Sequence, residues 1–183
     1  MQRLILAATA PQPGLRIAHA STTDEFRVVS ELIAEYVGWC RRRYRAYPQL
    51  VDRYFGAADM AREVADAGKA YAAPAGAVLI AMAHNQPAGC VALRSPSDGV
   101  GEVKRLYVRP EFRGFGIGRS LVVNLVALAR RNRVRTLRLE TGDLFTEAQG
   151  LYRTLGFQPI ASYSDAPPDA QEFLLAMETD IAA

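Results

Sequence analysis

The sequence predicts an α+β fold in which a mixed central sheet of about six to seven strands is flanked by helices. Three observations lead to this prediction. Two apolar segments with helical spacing follow a short first strand, a strand-like pattern takes over from Gly76, and the second half alternates strands with helices. A length of 183 residues and a hydrophobic content of 50% suit one domain, which we predict over residues 15–183.

The first part of the chain predicts one strand and two helices. Leu15 to Ala20 has the composition of a short strand. Residues 21–23 are Ser-Thr-Thr, which can cap a helix from Asp24 to about Arg43. A second helical segment runs from about Val51 to Ala67, and Gly56 favours an interruption within it.

The middle of the chain predicts a hairpin and a further strand. Ala77 to Ala83 and Gly89 to Arg94 are apolar runs that flank turn-forming residues at 84–88. Another turn leads into a strand from Val100 to Val108, which Pro110 closes.

The last part predicts two helices among three strands. Apolar residues recur at helical spacing from Ile117 to Arg131, and Val134 to Thr141 follows as a strand. A short helix comes next, with Thr146 and Gln149 spaced as a capping box and Gly156 as its stop. Two final strand candidates close the chain: Pro159–Tyr163 and Glu172–Met177.

Composition limits the classes of partner. A formal net charge of +3 suits an anionic small molecule and falls short of the basic bias of nucleic-acid binders, so no nucleic-acid partner is expected. No apolar run is long enough to span a bilayer, so no membrane partner is expected. The oligomeric state stays open between a monomer and a homodimer.

Cysteine and histidine usage bears on compartment and metal. Cys40 and Cys90 are two isolated thiols, which indicates a reduced, cytoplasmic protein and packing roles for both. With His19 and His84 not spaced as ligands, no metal is expected. Residues 1–14 are predicted to be an N-terminal tail rather than a signal peptide, because the charged and apolar regions are both short.

The segment Arg113–Gly118 joins a strand to a helix and has glycines at every second position, 114, 116 and 118. Glycine lets the backbone approach a ligand, and the helix adds its positive N-terminal dipole, so the segment predicts a cradle for phosphate or pyrophosphate. Arg113 and Arg119 add charge. No Gly-Lys-Ser/Thr ending is present, and Leu121 supplies no dinucleotide-type glycine. On spacing alone, a tight surface turn remains an equal alternative.

Two motifs resemble one known family. Arg113-x-x-Gly116-x-Gly118 resembles the Gln/Arg-x-x-Gly-x-Gly/Ala motif of the GNAT acetyltransferase superfamily, and Ala148–Phe157 resembles its Ala-x-x-Leu-Tyr-x-x-x-Gly-Phe. Residues 102–110 are similar to a bacterial-type small-molecule branch. The resemblance covers nearly the whole chain after the tail. It implies the acyl-CoA N-acyltransferase fold, acetyl-CoA as co-substrate, and acetyl transfer to a primary amine by direct attack in a ternary complex.

The resemblance also implies a set of cofactor-binding residues. The backbone edge of the strand through residues 106–108 would hold the pantetheine arm, and the glycine segment would hold the pyrophosphate. Phe145 stands where many members have Asn, and Thr141 is expected to supply the polar contact instead. The residues implied are Leu106, Tyr107, Val108, Arg113, Gly114, Phe115, Gly116, Ile117, Gly118, Arg119, Ser120 and Thr141.

Two catalytic roles follow from the resemblance. Tyr152 occupies the general-acid position, and a phenol stays protonated at neutral pH. Glu102 is the expected base, directly or through water, with Glu140 as its rival. The alternatives are a core role for Tyr152 and a surface or salt-bridging role for either glutamate, and some enzymes of this type need no strong base.

Two other functions stay open. A non-catalytic coenzyme A-binding sensor or scaffold of the same fold would fit the missing Asn. RNA binding through the arginines at 41–43 is the weaker alternative, because the stretch from Trp39 to Tyr47 is more typical of a solvated helix end.

Overall fold

A computed structural model describes residues 14–55, 57–71, 73, 76–163 and 168–182. The predicted tail falls outside the described residues, apart from Gly14, and so does Gly56. The strands are β1 Leu15–His19, β2 Gly76–Ala83, β3 Gln86–Ser97, β4 Val100–Val108, β5 Thr136–Gly142, β6 Gln158–Ile160 and β7 Leu174–Asp180. The helices are α1 Thr23–Arg43, α2 Pro48–Phe55, α3 Ala57–Ala65, α4 Ala67–Ala70, α5 Ile117–Arg131, α6 Thr146–Thr154 and α7 Pro168–Gln171, with a 3-10 turn at Pro110–Phe112.

The described strands form one seven-stranded sheet in the order β1-β2-β3-β4-β5-β7-β6. Every neighbouring pair is antiparallel except β4 and β5, which are parallel. A parallel pair needs a crossover connection, and α5 provides it. The prediction of a mixed sheet flanked by helices is confirmed.

The parallel pair is short, and this creates an opening in the sheet. Residues 100–102 of β4 pair with residues 136–138 of β5. Beyond them β4 continues to Val108 and β5 to Gly142 without pairing to each other. Residues 103–108 therefore expose one backbone edge in the middle of the sheet, a position where strands normally have both edges occupied.

Helices cover both faces of the sheet. One core cluster joins α5 to the sheet through fully buried side chains that include Leu121, Leu125 and Phe157. A second cluster joins α1 to the opposite face through Leu32 and Ile33. Among the described residues, no helix is both long and apolar enough to cross a membrane.

Several strand bounds differ from the predicted ones. The β2–β3 turn is shorter than predicted, because His84 and Asn85 both take left-handed backbone conformations, with φ of 48° and 62°. This is the geometry of a two-residue hairpin turn, and it frees Gln86 and Pro87 to pair with β2, while Ala88 lies at a bulge. The last strand begins two residues later than predicted, at Leu174, and extends to Asp180.

The two predicted helix caps have opposite outcomes. At α1, the Thr22 hydroxyl accepts a bond from the Glu25 amide, and the Glu25 carboxylate accepts one from the Thr22 amide at 3.0 Å. At α6 the predicted capping box is wrong, since Phe145 is the N-cap and makes no side-chain bond. Gln149 instead donates to the carbonyls of Gly142 and Asp143, both at 2.9 Å.

Thr22→Ala is expected to lower the free energy of unfolding by about 1 kcal/mol, because it leaves the Glu25 amide without its cap. Urea denaturation measures this directly. Thr146→Ala is the matched control, since Thr146 lies inside α6 and caps nothing. Equal losses from the two substitutions would contradict the assignment of the cap.

Candidate active site

A cleft of about 400 Å³ follows the opening between β4 and β5. Its floor is the unpaired edge of β4, its far wall comes from β5 and α6, and α1 and α2 close it from one face of the sheet. The glycine segment forms one end. The cleft thus runs from a helix N-terminus into the middle of the sheet.

The glycine segment has the geometry of an anion cradle. Gly114 and Gly116 have φ of 83° and 72°, conformations that side-chain-bearing residues rarely adopt. Gly116 is the N-cap of α5, and the first helical bond runs from the Ser120 amide to its carbonyl. The amides of residues 117–119 therefore have no partner within the helix and are available to an anion at the cleft.

The arginines predicted for this end both line the cleft. The Arg113 Nε donates to the Val108 carbonyl at 2.9 Å, and its guanidinium lies 5.0 Å from the centre of the Trp39 ring. Two other predicted residues do not line it. Phe115 is 67% exposed, and Ser120 is buried.

The β4 wall is shaped by a bulge. The β3–β4 register shifts between Cys90 and Ala92, and Arg105 has a left-handed φ of 54°. The Arg105 guanidinium is held by both oxygens of Glu63, at 2.7 and 2.8 Å. This anchor fixes the bulge, and residues 106–108 beyond it line the cleft.

Aromatic side chains that we did not predict form the α1 wall. Tyr36 and Trp39, less than one helical turn apart, have ring centres 6.4 Å apart. Phe145, at the position of the missing Asn, lies 4.7 Å from the Trp39 ring centre. Phe145 and Thr141 both line the cleft, so an apolar wall stands where the family pattern has an amide. The sequence signal that could have predicted this wall is the helical spacing of Tyr36 and Trp39 beside apolar residues of α1.

The stretch from Trp39 to Tyr47 is only in part the solvated helix end that we predicted. Cys40 and Tyr44 are buried, and the Tyr44 hydroxyl donates to Asp143. The arginines of this stretch are exposed, but those at 41 and 43 are held by Asp52 and by the carbonyl of residue 144 respectively. Two of the three arginines at 41–43 are therefore engaged within the protein.

Tyr152 lies on α6 and lines the cleft although it is only 5% exposed. Burial raises the pKa of its hydroxyl well above the usual value, and the neighbouring Tyr54 adds to the effect. A protonated hydroxyl therefore faces the cleft throughout the neutral range. A proton donor must be protonated before the transfer, and Tyr152 meets this condition.

The two candidate bases are placed differently. Glu102 is 4% exposed and lies outside the cleft lining, with its carboxylate 2.9 Å from Arg94 and 3.3 Å from Arg138. Glu140 lines the cleft and accepts a bond from the Ser162 hydroxyl at 3.2 Å. Our preference for Glu102 is therefore not supported. Glu102 lies where β4 and β5 still pair, opposite Arg138 and before the strands separate.

The cysteines have packing roles, as predicted. Cys40 and Cys90 are both buried. Burial raises the pKa of each thiol to about 12, so neither is a thiolate at neutral pH.

Comparison with known proteins agrees with this geometry. The model of the acetyltransferase (GNAT) family matches residues 43–157, more than half of the chain. An uncharacterized N-acetyltransferase of Schizosaccharomyces pombe is 36% identical over 108 residues, which cover 57% of this chain and 66% of that protein. The chain spans less than two thirds of the length of the curated relatives that it matches.

Solved structures share the fold over most of the chain. A protein from Klebsiella pneumoniae assigned as an acyl-CoA N-acyltransferase superposes with a TM-score of 0.69 at 25% identity, covering 92% of this chain and 98% of that one. The PaiA N-acetyltransferase of Thermoplasma acidophilum, solved in complex with coenzyme A, superposes with a TM-score of 0.65 at 16% identity, covering 91% and 98%. The fold, the glycine segment at the mouth of α5 and the family match agree, and the chain belongs to the acetyltransferase (GNAT) family.

Proposed function

We propose that the protein is an N-acetyltransferase that moves an acetyl group from acetyl-CoA to a primary amine by direct attack in a ternary complex. One observation carries the proposal: a single cleft connects the free amides at the start of α5 with the buried Tyr152 hydroxyl. Family membership and the coenzyme A complex of the PaiA protein support it.

The residues of the cleft fit acetyl-CoA from one end to the other. Free amides at 117–119, with Arg113 and Arg119, suit the pyrophosphate. The unpaired edge of β4 suits the amide-bearing pantetheine arm, which it can bind as an added strand. An arm bound along residues 106–108 of this edge would direct the thioester into the opening between β4 and β5.

Acetyl transfer requires three actions from the protein. Glu140, directly or through a water, takes a proton from the acceptor ammonium, and the neutral nitrogen attacks the thioester carbon. A backbone amide of the β4 edge stabilises the negative charge on the carbonyl oxygen. Tyr152 gives its proton to sulfur as the C–S bond breaks and the C–N bond remains, and the acetylated nitrogen releases its second proton to solvent. The products are free coenzyme A and an N-acetylated amine; solvent reprotonates Tyr152 and takes the proton from Glu140.

Release of free thiol from acetyl-CoA in a broad panel of amines tests the function. We expect amine-dependent release with at least one acceptor, well above the rate of acetyl-CoA hydrolysis, and an acetylated product by mass spectrometry. Tight acetyl-CoA binding without release in any amine would favour the alternative, a coenzyme A-binding sensor or scaffold of the same fold.

Glu140→Gln is expected to lower kcat/KM for the acceptor by roughly 100-fold, because the amide cannot accept the proton. Glu102→Gln is the matched control. It weakens the contacts to Arg94 and Arg138 and so should lower the melting temperature, with kcat nearly retained for the folded protein. A larger loss of kcat in Glu102→Gln than in Glu140→Gln would reverse the assignment of the base.

A further inference from the structure

The two strands that form the cleft carry opposite charges where they separate. Glu102 and Arg138 are the last residues paired between β4 and β5. Strand residues two apart lie on the same face, so Lys104 and Glu140 occupy the next position on that face. Both line the cleft, at the end far from the glycine segment. An ammonium and a carboxylate thus lie on opposite walls at this end of the cleft.

Lys104 is half-buried, and among the described residues its side-chain ammonium makes no hydrogen bond or ion pair. Burial lowers the pKa of its ammonium, and the adjacent Arg105 and Arg94 lower it further, while Glu102 and Glu140 act in the opposite direction. Glu102 is already shared by two arginines. A cation that has lost water without gaining a partner is unfavourable, and an incoming carboxylate would compensate for that cost.

A positively charged groove adjoins the cleft at Lys104. The groove is lined by five cationic side chains and two carboxylates: Arg62, Lys69, Arg94, Lys104 and Arg105, with Glu63 and Asp66. Lys104 lines both spaces. An excess of positive charge beside a cleft raises the local concentration of anions. The surroundings of Lys104 therefore favour a substrate that carries a negative group.

An apolar side chamber adjoins the cleft at Glu140. The two spaces share five lining residues: Tyr36, Tyr54, Glu140, Thr141 and Phe145. Glu140 is its one charged residue among the described lining, which consists mainly of aromatic and aliphatic side chains: Tyr36, Cys40, Tyr44, Leu50, Val51, Tyr54, Phe145, Ala170, Phe173 and Leu174. Such a chamber accepts a small apolar group and disfavours a charged one.

We propose that the acceptor is a free α-amino acid with an apolar side chain. Lys104 binds its carboxylate, Glu140 faces its amine, and its apolar side chain occupies the side chamber. This inference rests on the proposed acetyl transfer. An α-amino acid carries its two opposite charges on one carbon, and the two walls present the complementary charges. Lys104 is then the residue that determines specificity for the carboxylate.

Paired substrates test the proposal, because leucine and 3-methylbutylamine differ only by the carboxylate. For the unaltered protein we expect kcat/KM for leucine to be roughly 10- to 100-fold higher, the range of a charge-assisted contact. Lys104→Met should remove most of that preference by raising the KM for leucine, while kcat/KM for 3-methylbutylamine and the KM for acetyl-CoA stay within about twofold. Lys104→Arg should retain a preference. Aspartate should be a poor acceptor.

The outcomes separate this inference from the proposed function. Thiol release with 3-methylbutylamine at least as fast as with leucine would overturn the amino-acid proposal and leave N-acetyltransfer intact. An equal loss on both substrates in Lys104→Met would also overturn it. Aspartate as good as leucine would remove the apolar side chain from the proposal. No release with any amine would overturn both.

Discussion

Tyr152→Phe is expected to lower kcat for acetyl transfer by roughly 100-fold or more, with the dissociation constant of acetyl-CoA unchanged within about twofold. The substitution removes only the hydroxyl, and the ring keeps its place 5.5 Å from the Phe157 ring centre. Without a proton donor, the leaving group must depart as a thiolate. Single-turnover thiol release measures the chemical step, and calorimetry measures the binding of acetyl-CoA.

The pH dependence of kcat is a second test of the role of Tyr152. Since burial raises the pKa of Tyr152, its acid form persists at pH values where an exposed tyrosine ionises, near 10. At pH values below about 10, ionisation of the Tyr152 hydroxyl should therefore not lower kcat. Tyr47→Phe is the control, because that ring is exposed and packs beside Phe173 away from the cleft. Full activity of Tyr152→Phe across the pH range would remove Tyr152 from the mechanism.

Gly118→Asp is expected to weaken acetyl-CoA binding by roughly 100-fold or more, because it places a carboxylate where the pyrophosphate is proposed to bind. The free protein should tolerate the change. A Cβ at Gly118 would meet Leu151 at 3.5 Å and Val108 at 3.8 Å, both ordinary contacts. An acidic residue in the first turn of α5 also interacts favourably with the helix dipole. Calorimetric titration and a thermal melt separate the two effects.

Gly150→Asp is the matched control for charge. Gly150 is exposed on α6 and does not line the cleft, and a Cβ added there would meet no other atom within 4 Å. This variant should bind acetyl-CoA with nearly unchanged affinity. Similar affinities for Gly118→Asp and Gly150→Asp would show that the start of α5 does not hold the pyrophosphate.

The features that the sequence predicted well are those encoded locally. The cap at Thr22, the bounds of α5 and the stop at Gly156, which has φ of 90°, depend on residues a few positions apart. The backbone geometry of the glycine segment is also encoded locally, because three alternating glycines and the helix that follows lie within one segment. Periodicity and spacing are sufficient for features of this kind.

The features that it missed depend on contacts between distant segments. Glu102 and Glu140 look equivalent in sequence, but their surroundings differ, because the β4–β5 pairing includes Glu102 and ends before Glu140. Gln149 is spaced from Thr146 as in a capping box, but its side chain is buried and its amide donates to the carbonyl of Gly142 instead. Lys104 faces an opposite charge across the cleft only in the folded sheet, where β5 carries Glu140 on the other wall. None of these juxtapositions has a local signal.

The structure of the protein in complex with acetyl-CoA tests the central claim most directly. We predict that the pyrophosphate lies against the amides of residues 117–119, and that the pantetheine arm bonds to the β4 edge at residues 106–108. The thioester sulfur should then lie within reach of the Tyr152 hydroxyl. A cofactor bound outside the opening between β4 and β5, or no complex at millimolar acetyl-CoA, would contradict the account.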